Sequence, residues 1–186
     1  LPYWIDALVA DDGNGSYFLS LYNRSEVFTF VFPDTLPDYN TSSKDAQDYK
    51  AVSNLQKENI RIALTYIEEF VNLNFEESTS TNQINTIAIG VNTQAGTGMY
   101  AYLPSQLETG SDILIGDKEY NQSLSFGTEG AGAIVHEIAH TLGLSHPTEA
   151  LPITELNQKW TLMTAVRADG FEYNSLALSP LDIAAL

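Results

Sequence analysis

Residues 136–147 read HEIAHTLGLSHP, and they contain all three histidines of this 186-residue chain, His136, His140 and His146. The stretch before them, AGAIV at 131–135, is small or apolar and predicts a buried helix over 130–142 that ends at Gly143. On such a helix, His136 and His140 lie on one face, about 6 Å apart along the axis. Polar side chains on a buried helix need partners, so these histidines are expected to share one.

The spacing of the histidines predicts a metal site. A glycine at 143 permits the sharp reversal that returns His146 towards the other two histidines. Three imidazoles that bind zinc at about 2.0–2.1 Å leave a fourth position for water, which is the pattern of a catalytic site. Alternatively, each histidine could be a buried core residue with its own hydrogen-bond partner. That arrangement would not require the extended H-E-x-x-H-x-x-G-x-x-H spacing. We therefore predict one Zn²⁺ bound by His136, His140 and His146.

Glu137 is the predicted catalytic residue. It follows the first ligand and projects about 100° away from it around the helix, so it borders the ion without having to bind it. Zinc lowers the pKa of its bound water towards ~7. Glu137 would take the proton of that water as a general base and pass it to the leaving nitrogen of a cleaved peptide bond.

Composition excludes several other classes of protein. The 44% hydrophobic and 11% aromatic content is typical of a folded globular chain. There is no cysteine, which excludes disulfides, thiolate catalysis and cysteine-ligated metals. The formal net charge of -16 repels nucleic acid and anionic membranes, and no run of 18 apolar residues predicts a membrane span. We expect neither nucleic acid nor a membrane among the partners.

Hydrophobic patterning indicates one α+β domain over 1–186, with an upper lobe at about 1–142 and a small, mostly loop-built lower lobe at about 143–186. Strands are predicted at 27–32, 85–91, 99–103 and 112–115. A long helix is predicted over about 44–73, begun by a capping box of Ser42 and Asp45. The inward face of that helix is predicted to carry Tyr49, Val52, Leu55, Ala63, Ile67 and Phe70. Ser179, Pro180 and Asp182 predict the start of a short terminal helix.

HEIAHTLGLSHP resembles the zinc-binding signature of the metzincin endopeptidases, most closely that of the serralysin subfamily. TLMT at 161–164 is similar to the Met-turn of that family, which implies that Met163 lies beneath the zinc ligands as a hydrophobic base. GMYAYLP at 98–104 resembles the edge strand that pairs with extended substrate, which implies substrate contacts at Tyr100, Ala101 and Tyr102. Alternatively, the two tyrosine side chains simply pack on the sheet.

The resemblance extends over essentially the whole chain. It implies a twisted, mostly parallel sheet with an antiparallel edge strand, a long helix, the active-site helix and an irregular C-terminal lobe ending in a helix. It also implies protein or peptide substrates, a secreted, extracellular protein of a bacterium, and a further C-terminal calcium-binding domain in the full-length protein. Ca²⁺ would bind only through that domain, which this chain lacks.

DDGNGS at 11–16 predicts a tight loop and does not have the spacing of a calcium-binding EF-hand. The start at Leu1, without an initiator methionine, is that expected of a mature or excised piece of a longer polypeptide.

One position departs from the serralysin pattern. The family has a tyrosine two residues after the Met-turn methionine, whereas this chain has Ala165, and Tyr173 is the candidate substitute. Loss of that hydroxyl leaves open a catalytically weak metzincin fold used as a binding or adhesion module. A second alternative is an amide hydrolase acting on a non-protein substrate. The sequence does not reveal the cleavage-site preference, the physiological substrate or the oligomeric state.

Overall fold

The computed structural model describes residues 2–10, 27–81, 86–96, 98–105, 107–147, 151–168 and 177–186. Residues 11–16 and Tyr173 therefore lie outside the described part of the chain. The described helices are α1 (Tyr3–Asp6), α2 (Asn54–Glu68), α3 (Glu129–Thr141) and α4 (Pro180–Ala185), with a 3-10 turn at Glu119–Asn121. The strands are β1 (Val27–Val31), β2 (Asn74–Glu77), β3 (Thr86–Asn92), β4 (Met99–Ala101) and β5 (Ile113–Gly116). None of the described helices is long and apolar enough to cross a membrane.

The five strands form one sheet in the order β2-β1-β3-β5-β4. Pairing is parallel between β1 and β2, β1 and β3, and β3 and β5, while the edge strand β4 runs antiparallel to β5. All seven residues of β3 are buried, as expected for a strand with both faces covered. The predicted α+β class, with a mostly parallel sheet and an antiparallel edge strand, is confirmed.

The predicted helix over 44–73 is wrong at its start. The observed helix α2 begins after Ser53, where the side chains of Ser53 and Gln56 form a capping box. Ser42 does accept a hydrogen bond from the Asp45 N–H (3.3 Å), but it begins a series of turns that includes Asp48 at φ 50°. Lys50 then pairs with Val91 as an isolated β-bridge, which is incompatible with helix.

The predicted inward face of this helix is only half correct. Ala63 and Ile67 are buried together with Ile60 and Leu64, whereas Leu55 is 50% exposed and Phe70 37% exposed. Val52 is buried and Tyr49 half-buried, but both precede the helix. The 3.6-residue period of apolar side chains therefore begins at Ile60 and not in the preceding turns.

Strand β2 was not predicted, because its sequence NFEE is polar and mostly exposed. It lies at the edge of the sheet opposite β4 and is held by parallel pairing with β1, from Val27↔Asn74 to Phe30↔Glu77. The other strands match their predicted positions to within two residues.

The described residues form two clusters of buried hydrophobic side chains. The larger one lies between the sheet and helices α2 and α3 and includes Ile60, Ile89 and Ile134. The smaller one contains Leu8, Ala139, Leu144 and Met163, with Leu181, Ala185 and Leu186 packed against it. The segment after α1 therefore meets α4 and the end of α3 beneath the histidines.

Candidate metal centre and catalytic cleft

Helix α3 and the turn after it bring the three histidines together. Thr128 caps the start of α3 by accepting a hydrogen bond from Ala131 N–H, and Gly143, at φ 104°, ends the turn after the helix. Beyond that reversal, His146 Nε2 lies 3.1 Å from His136 Nε2 and 3.3 Å from His140 Nε2. The predicted end of the helix at Gly143 is confirmed, and the three side chains converge as the spacing requires.

The nitrogen spacing fits a tetrahedral ion. Ligands at about 2.0–2.1 Å from a zinc ion lie about 3.3–3.4 Å from one another along the edges of a tetrahedron. The distances from His146 Nε2 to the other two Nε2 atoms, 3.1 and 3.3 Å, are close to that length. A cation placed between the three Nε2 atoms can accept one lone pair from each imidazole that carries its proton on Nδ1. The donor set therefore fits a divalent metal ion that prefers imidazole.

Backbone carbonyls orient two of the imidazole rings. His136 Nδ1 lies 2.9 Å from the Leu162 carbonyl, and His140 Nδ1 lies 2.6 Å from the Leu144 carbonyl. A carbonyl can only accept, so each Nδ1 carries the proton and each Nε2 presents its lone pair to the shared point. Burial, with a contribution from neighbouring imidazoles, lowers the pKa of His136 to about 3 and that of His140 to about 4. Both rings are therefore neutral near pH 7, as metal ligation requires.

The Glu137 carboxylate is buried, being only 7% exposed. It accepts a hydrogen bond from the backbone N–H of Ala101, while its Oε2 has no hydrogen-bond partner among the described residues. Burial raises the pKa of Glu137 to about 7, because an ionised carboxylate in this setting is poorly solvated. A carboxyl group with this pKa can both take up and release a proton near neutrality.

Two cavities open on either side of Glu137 and His146, which line both of them. The larger, about 550 Å³, is also lined by His136, Met163 and Ala165. The smaller, about 440 Å³, is bounded by the edge strand and His140. Both cavities therefore border Glu137 and the histidine cluster, and we refer to the two together as the cleft.

The edge strand β4 presents its backbone to this cleft. Tyr100 and Ala101 line the smaller cavity, and the Ala101 N–H faces Glu137. The hydroxyls of Tyr100 and Tyr102 donate to Asp45 at 2.6 and 2.8 Å. Both hydroxyls are therefore engaged by Asp45, and substrate contact by Tyr100 and Tyr102 stays a prediction.

Met163 is fully buried in the smaller hydrophobic cluster and also lines the larger cavity. It packs with Ala139 and Leu144, which belong to the same helix end and turn that carry His140 and His146. An apolar base of this kind restricts movement of the segment that holds the histidines.

The sequence does not predict two kinds of group that support the site: the backbone carbonyls that orient the histidines, and the carboxylate that binds the edge-strand tyrosines. The carbonyls of Leu162 and Leu144 belong to the backbone, and no side-chain pattern marks them. Asp45 was expected only to cap a helix, but it accepts hydrogen bonds from Asn40 and from two tyrosines of the edge-strand segment. Burial alone would raise the pKa of Asp45, and these hydrogen bonds outweigh it, so the net pKa is lowered.

Comparison with known proteins places these observations in a family. The sequence model of a family described as the dual-action HEIGH metallopeptidases matches residues 18–148. That segment contains the three histidines and Glu137, and the letters HEIGH correspond to HEIAH at 136–140, with Ala139 in place of glycine.

Several curated relatives are serralysins. The chain is 30% identical to the serralysin of Proteus mirabilis over 151 residues, which is 72% of this chain and 30% of that protein. It is 28% identical to the serralysin of Photorhabdus laumondii over 122 residues, 63% of this chain and 24% of that protein. The chain thus spans less than a third of the length of these relatives. The resemblance to serralysin-type metallopeptidases is confirmed.

Proposed function

We propose that this chain, which belongs to the dual-action HEIGH metallopeptidase family, is a zinc-dependent endopeptidase domain that hydrolyses peptide bonds of extended protein substrates. The observation that carries the proposal is the convergence of three imidazoles, with His146 Nε2 at tetrahedral spacing from the other two Nε2 atoms, beside a buried, incompletely paired glutamate. A core histidine cluster would not need either feature. The serralysin relatives support the same reaction class.

In this proposal His136, His140 and His146 hold one zinc ion through their Nε2 atoms. When bound, zinc supplies a Lewis acid that makes a water molecule acidic near pH 7 and polarises a carbonyl group. The Leu162 and Leu144 carbonyls keep two of the rings in the tautomer that ligation needs. Met163 supports the ligands from below as the Met-turn residue.

Glu137 acts as the proton carrier. Its unpaired Oε2 takes the proton of the attacking water and afterwards delivers it to the leaving nitrogen. The hydrogen bond from Ala101 N–H holds the other side of the carboxyl group, so the proton-carrying oxygen keeps a defined direction. With a cation held by the three histidines, the Glu137 carboxylate would be ionised more readily than its burial alone allows, and it would be ready to accept the proton.

Substrate would bind by adding a strand to β4. Tyr102 N–H bonds to the Asp112 carbonyl and Gly116 N–H to the Gly98 carbonyl, so the even-numbered residues of this strand face β5. The backbone groups of Met99 and the carbonyl of Ala101 consequently point away from β5, where an extended peptide can pair with them, while the Ala101 N–H already donates to Glu137. Of Tyr100, Ala101 and Tyr102, Ala101 is thus proposed to contact substrate through its backbone, because the backbone groups of Tyr100 and Tyr102 face β5.

The relatives also support features that concern the whole protein. We infer one catalytic domain over 1–186, with the cleft between an upper lobe at about 1–142 and a lower lobe at about 143–186. Similarity to bacterial serralysins supports the proposal that the protein is secreted from a bacterium. A further C-terminal domain that binds Ca²⁺ in the full-length protein stays a prediction from the sequence resemblance. The alternative of a weakly active binding or adhesion module is favoured by Ala165, which lines the larger cavity without offering a hydroxyl.

Casein or gelatin degradation by the purified chain tests the proposal. We expect cleavage that a zinc chelator abolishes and that added zinc restores. Glu137→Gln should keep zinc and lose cleavage, while Glu58→Gln, an exposed glutamate on α2, should behave as the parent chain. Binding of gelatin without cleavage by the zinc-loaded chain would favour the adhesion module. Cleavage that survives loss of the Glu137 carboxylate would exclude the proposed proton carrier.

A further inference from the structure

We infer that Asp182 is a positioning residue for the metal centre, and that it sets the orientation of the His136 imidazole through the backbone at Leu162. This inference rests on the proposed zinc site. It extends that proposal because Asp182 belongs to the terminal helix α4 and touches none of the three histidines.

The Asp182 carboxylate is fully buried and saturated with donors. Its Oδ2 accepts from Leu162 N–H at 2.7 Å and from Ser179 N–H at 2.9 Å, and its Oδ1 accepts from the Thr161 hydroxyl at 2.6 Å. Only the bond from Ser179 belongs to the capping of α4. The other two cross to a segment about twenty residues earlier in the chain, so the carboxylate does more than begin a helix.

These bonds fix two consecutive peptide units. The unit between Thr161 and Leu162 is held directly, because its N–H donates to Asp182. The next unit is held through the Thr161 hydroxyl, which donates to Asp182 and accepts from Met163 N–H at 3.0 Å. A trans peptide is planar, so fixing the Met163 N–H also fixes the opposite direction of the Leu162 carbonyl.

The Leu162 carbonyl is the group that accepts from His136 Nδ1, at 2.9 Å. The path from carboxylate to ligand therefore has four hydrogen-bonded members: Asp182, Thr161, the peptide unit between Leu162 and Met163, and His136. Groups that orient a ligand in this way typically change metal affinity by 10–100-fold when they are removed. Since Asp182 acts two hydrogen bonds further out than the peptide unit of that carbonyl, we expect a loss at the lower end of this range, about tenfold.

Zinc affinity of the full chain, measured by competition with a chromophoric chelator, tests the inference. Asp182→Ala removes all three acceptor contacts and should weaken zinc binding about tenfold. Asp182→Asn keeps one oxygen that can serve both Leu162 and Ser179, and its amide NH2 can donate to the Thr161 hydroxyl and so keep that hydroxyl in place, so it should restore affinity to within about threefold of the parent chain. Ser179→Ala is the matched control: it removes the hydroxyl that donates to the Gln158 carbonyl and so disturbs the same helix start, but it leaves Asp182 in place.

Two further measurements separate positioning from stability. All variants are measured in sucrose, which favours compact states and keeps the weaker ones folded, and metal-free unfolding in urea gives the stability of each. The visible spectrum of the Co²⁺-loaded chain reports the ligand geometry, and we expect it to change in Asp182→Ala and not in Ser179→Ala. Absence of zinc binding in the parent chain would contradict the proposed function itself. If the parent binds zinc but Asp182→Ala loses no more affinity than Ser179→Ala, or Asp182→Asn fails to restore it, the positioning role alone is overturned.

Discussion

Replacing Glu137 with glutamine in the metal-free chain should make the fold more stable at alkaline pH. The ordinary pKa of this carboxyl is 4.5, and burial raises it to about 7 in the folded chain. Between those two values the unfolded chain is ionised while the folded chain still holds its proton, so unfolding becomes progressively easier as the pH rises. Each unit of pKa difference corresponds to about 1.4 kcal/mol, which amounts to about 3 kcal/mol at pH 8.

The sign of this effect is opposite to that of a salt-bridged carboxylate. The contribution of Glu137 to stability is complete below pH 4.5, declines from there to about pH 7, and is lost above it. Glutamine cannot ionise, so Glu137→Gln should match the parent at pH 4 and exceed it by about 3 kcal/mol at pH 8. His136 and His140 also titrate between the folded and unfolded states, but they are common to both proteins and cancel in the comparison.

Urea unfolding followed by circular dichroism in the presence of a chelator measures this difference at pH 4, 6 and 8. The dependence of the unfolding free energy on urea should be the same for both proteins, because the surface exposed on unfolding is the same. Saturating zinc should shrink the difference at pH 8, since its charge favours the ionised carboxylate. Equal stability of the two metal-free proteins at pH 8, or a difference that does not vary with pH, would refute the assignment of a buried, poorly solvated carboxyl.

Two other substitutions test how the site is supported. Gly143→Ala forces alanine to φ 104° and should lower the stability of the fold by about 1–3 kcal/mol. It should also lower zinc affinity, because the turn at Gly143 carries the third histidine. Gly96→Ala is the control: at φ 89°, with open space around it, this substitution should lower stability alone. Equal zinc affinities in these two variants, by chelator competition, would contradict the role of the turn. Leu8→Ala removes a fully buried side chain beneath the histidines and should cost about 2–5 kcal/mol in thermal or urea unfolding. A cost under about 1 kcal/mol would mean that the smaller cluster does not support the fold.

The sequence predicts those parts of the candidate site whose residues lie close together along the chain. His136, His140 and Gly143 lie within two helical turns, so helix geometry alone brings the first two imidazoles to one face and places the reversal. The terminal helix was readable for the same reason, because Ser179 and Asp182 are three residues apart.

Tertiary contacts account for the errors. Apolar spacing between 44 and 73 is compatible with one helix, but Asn40 bonds to Asp45 and Lys50 pairs with Val91, and these contacts stabilise turns instead. The effect of Asp182 on the histidine site depends on a backbone carbonyl of residue 162, which no side-chain pattern encodes. Strand β2 has a polar sequence and exists because β1 pairs with it.

X-ray absorption spectroscopy of the zinc-loaded chain at the zinc edge, combined with metal analysis, tests the central claim most directly. The account predicts one zinc ion per chain with three imidazole nitrogens at about 2.0–2.1 Å and an additional oxygen ligand. In His146→Ala the imidazole count should fall to two. A chain that retains no stoichiometric zinc after loading, or a zinc ion with fewer than three imidazole ligands in the parent protein, would contradict the account.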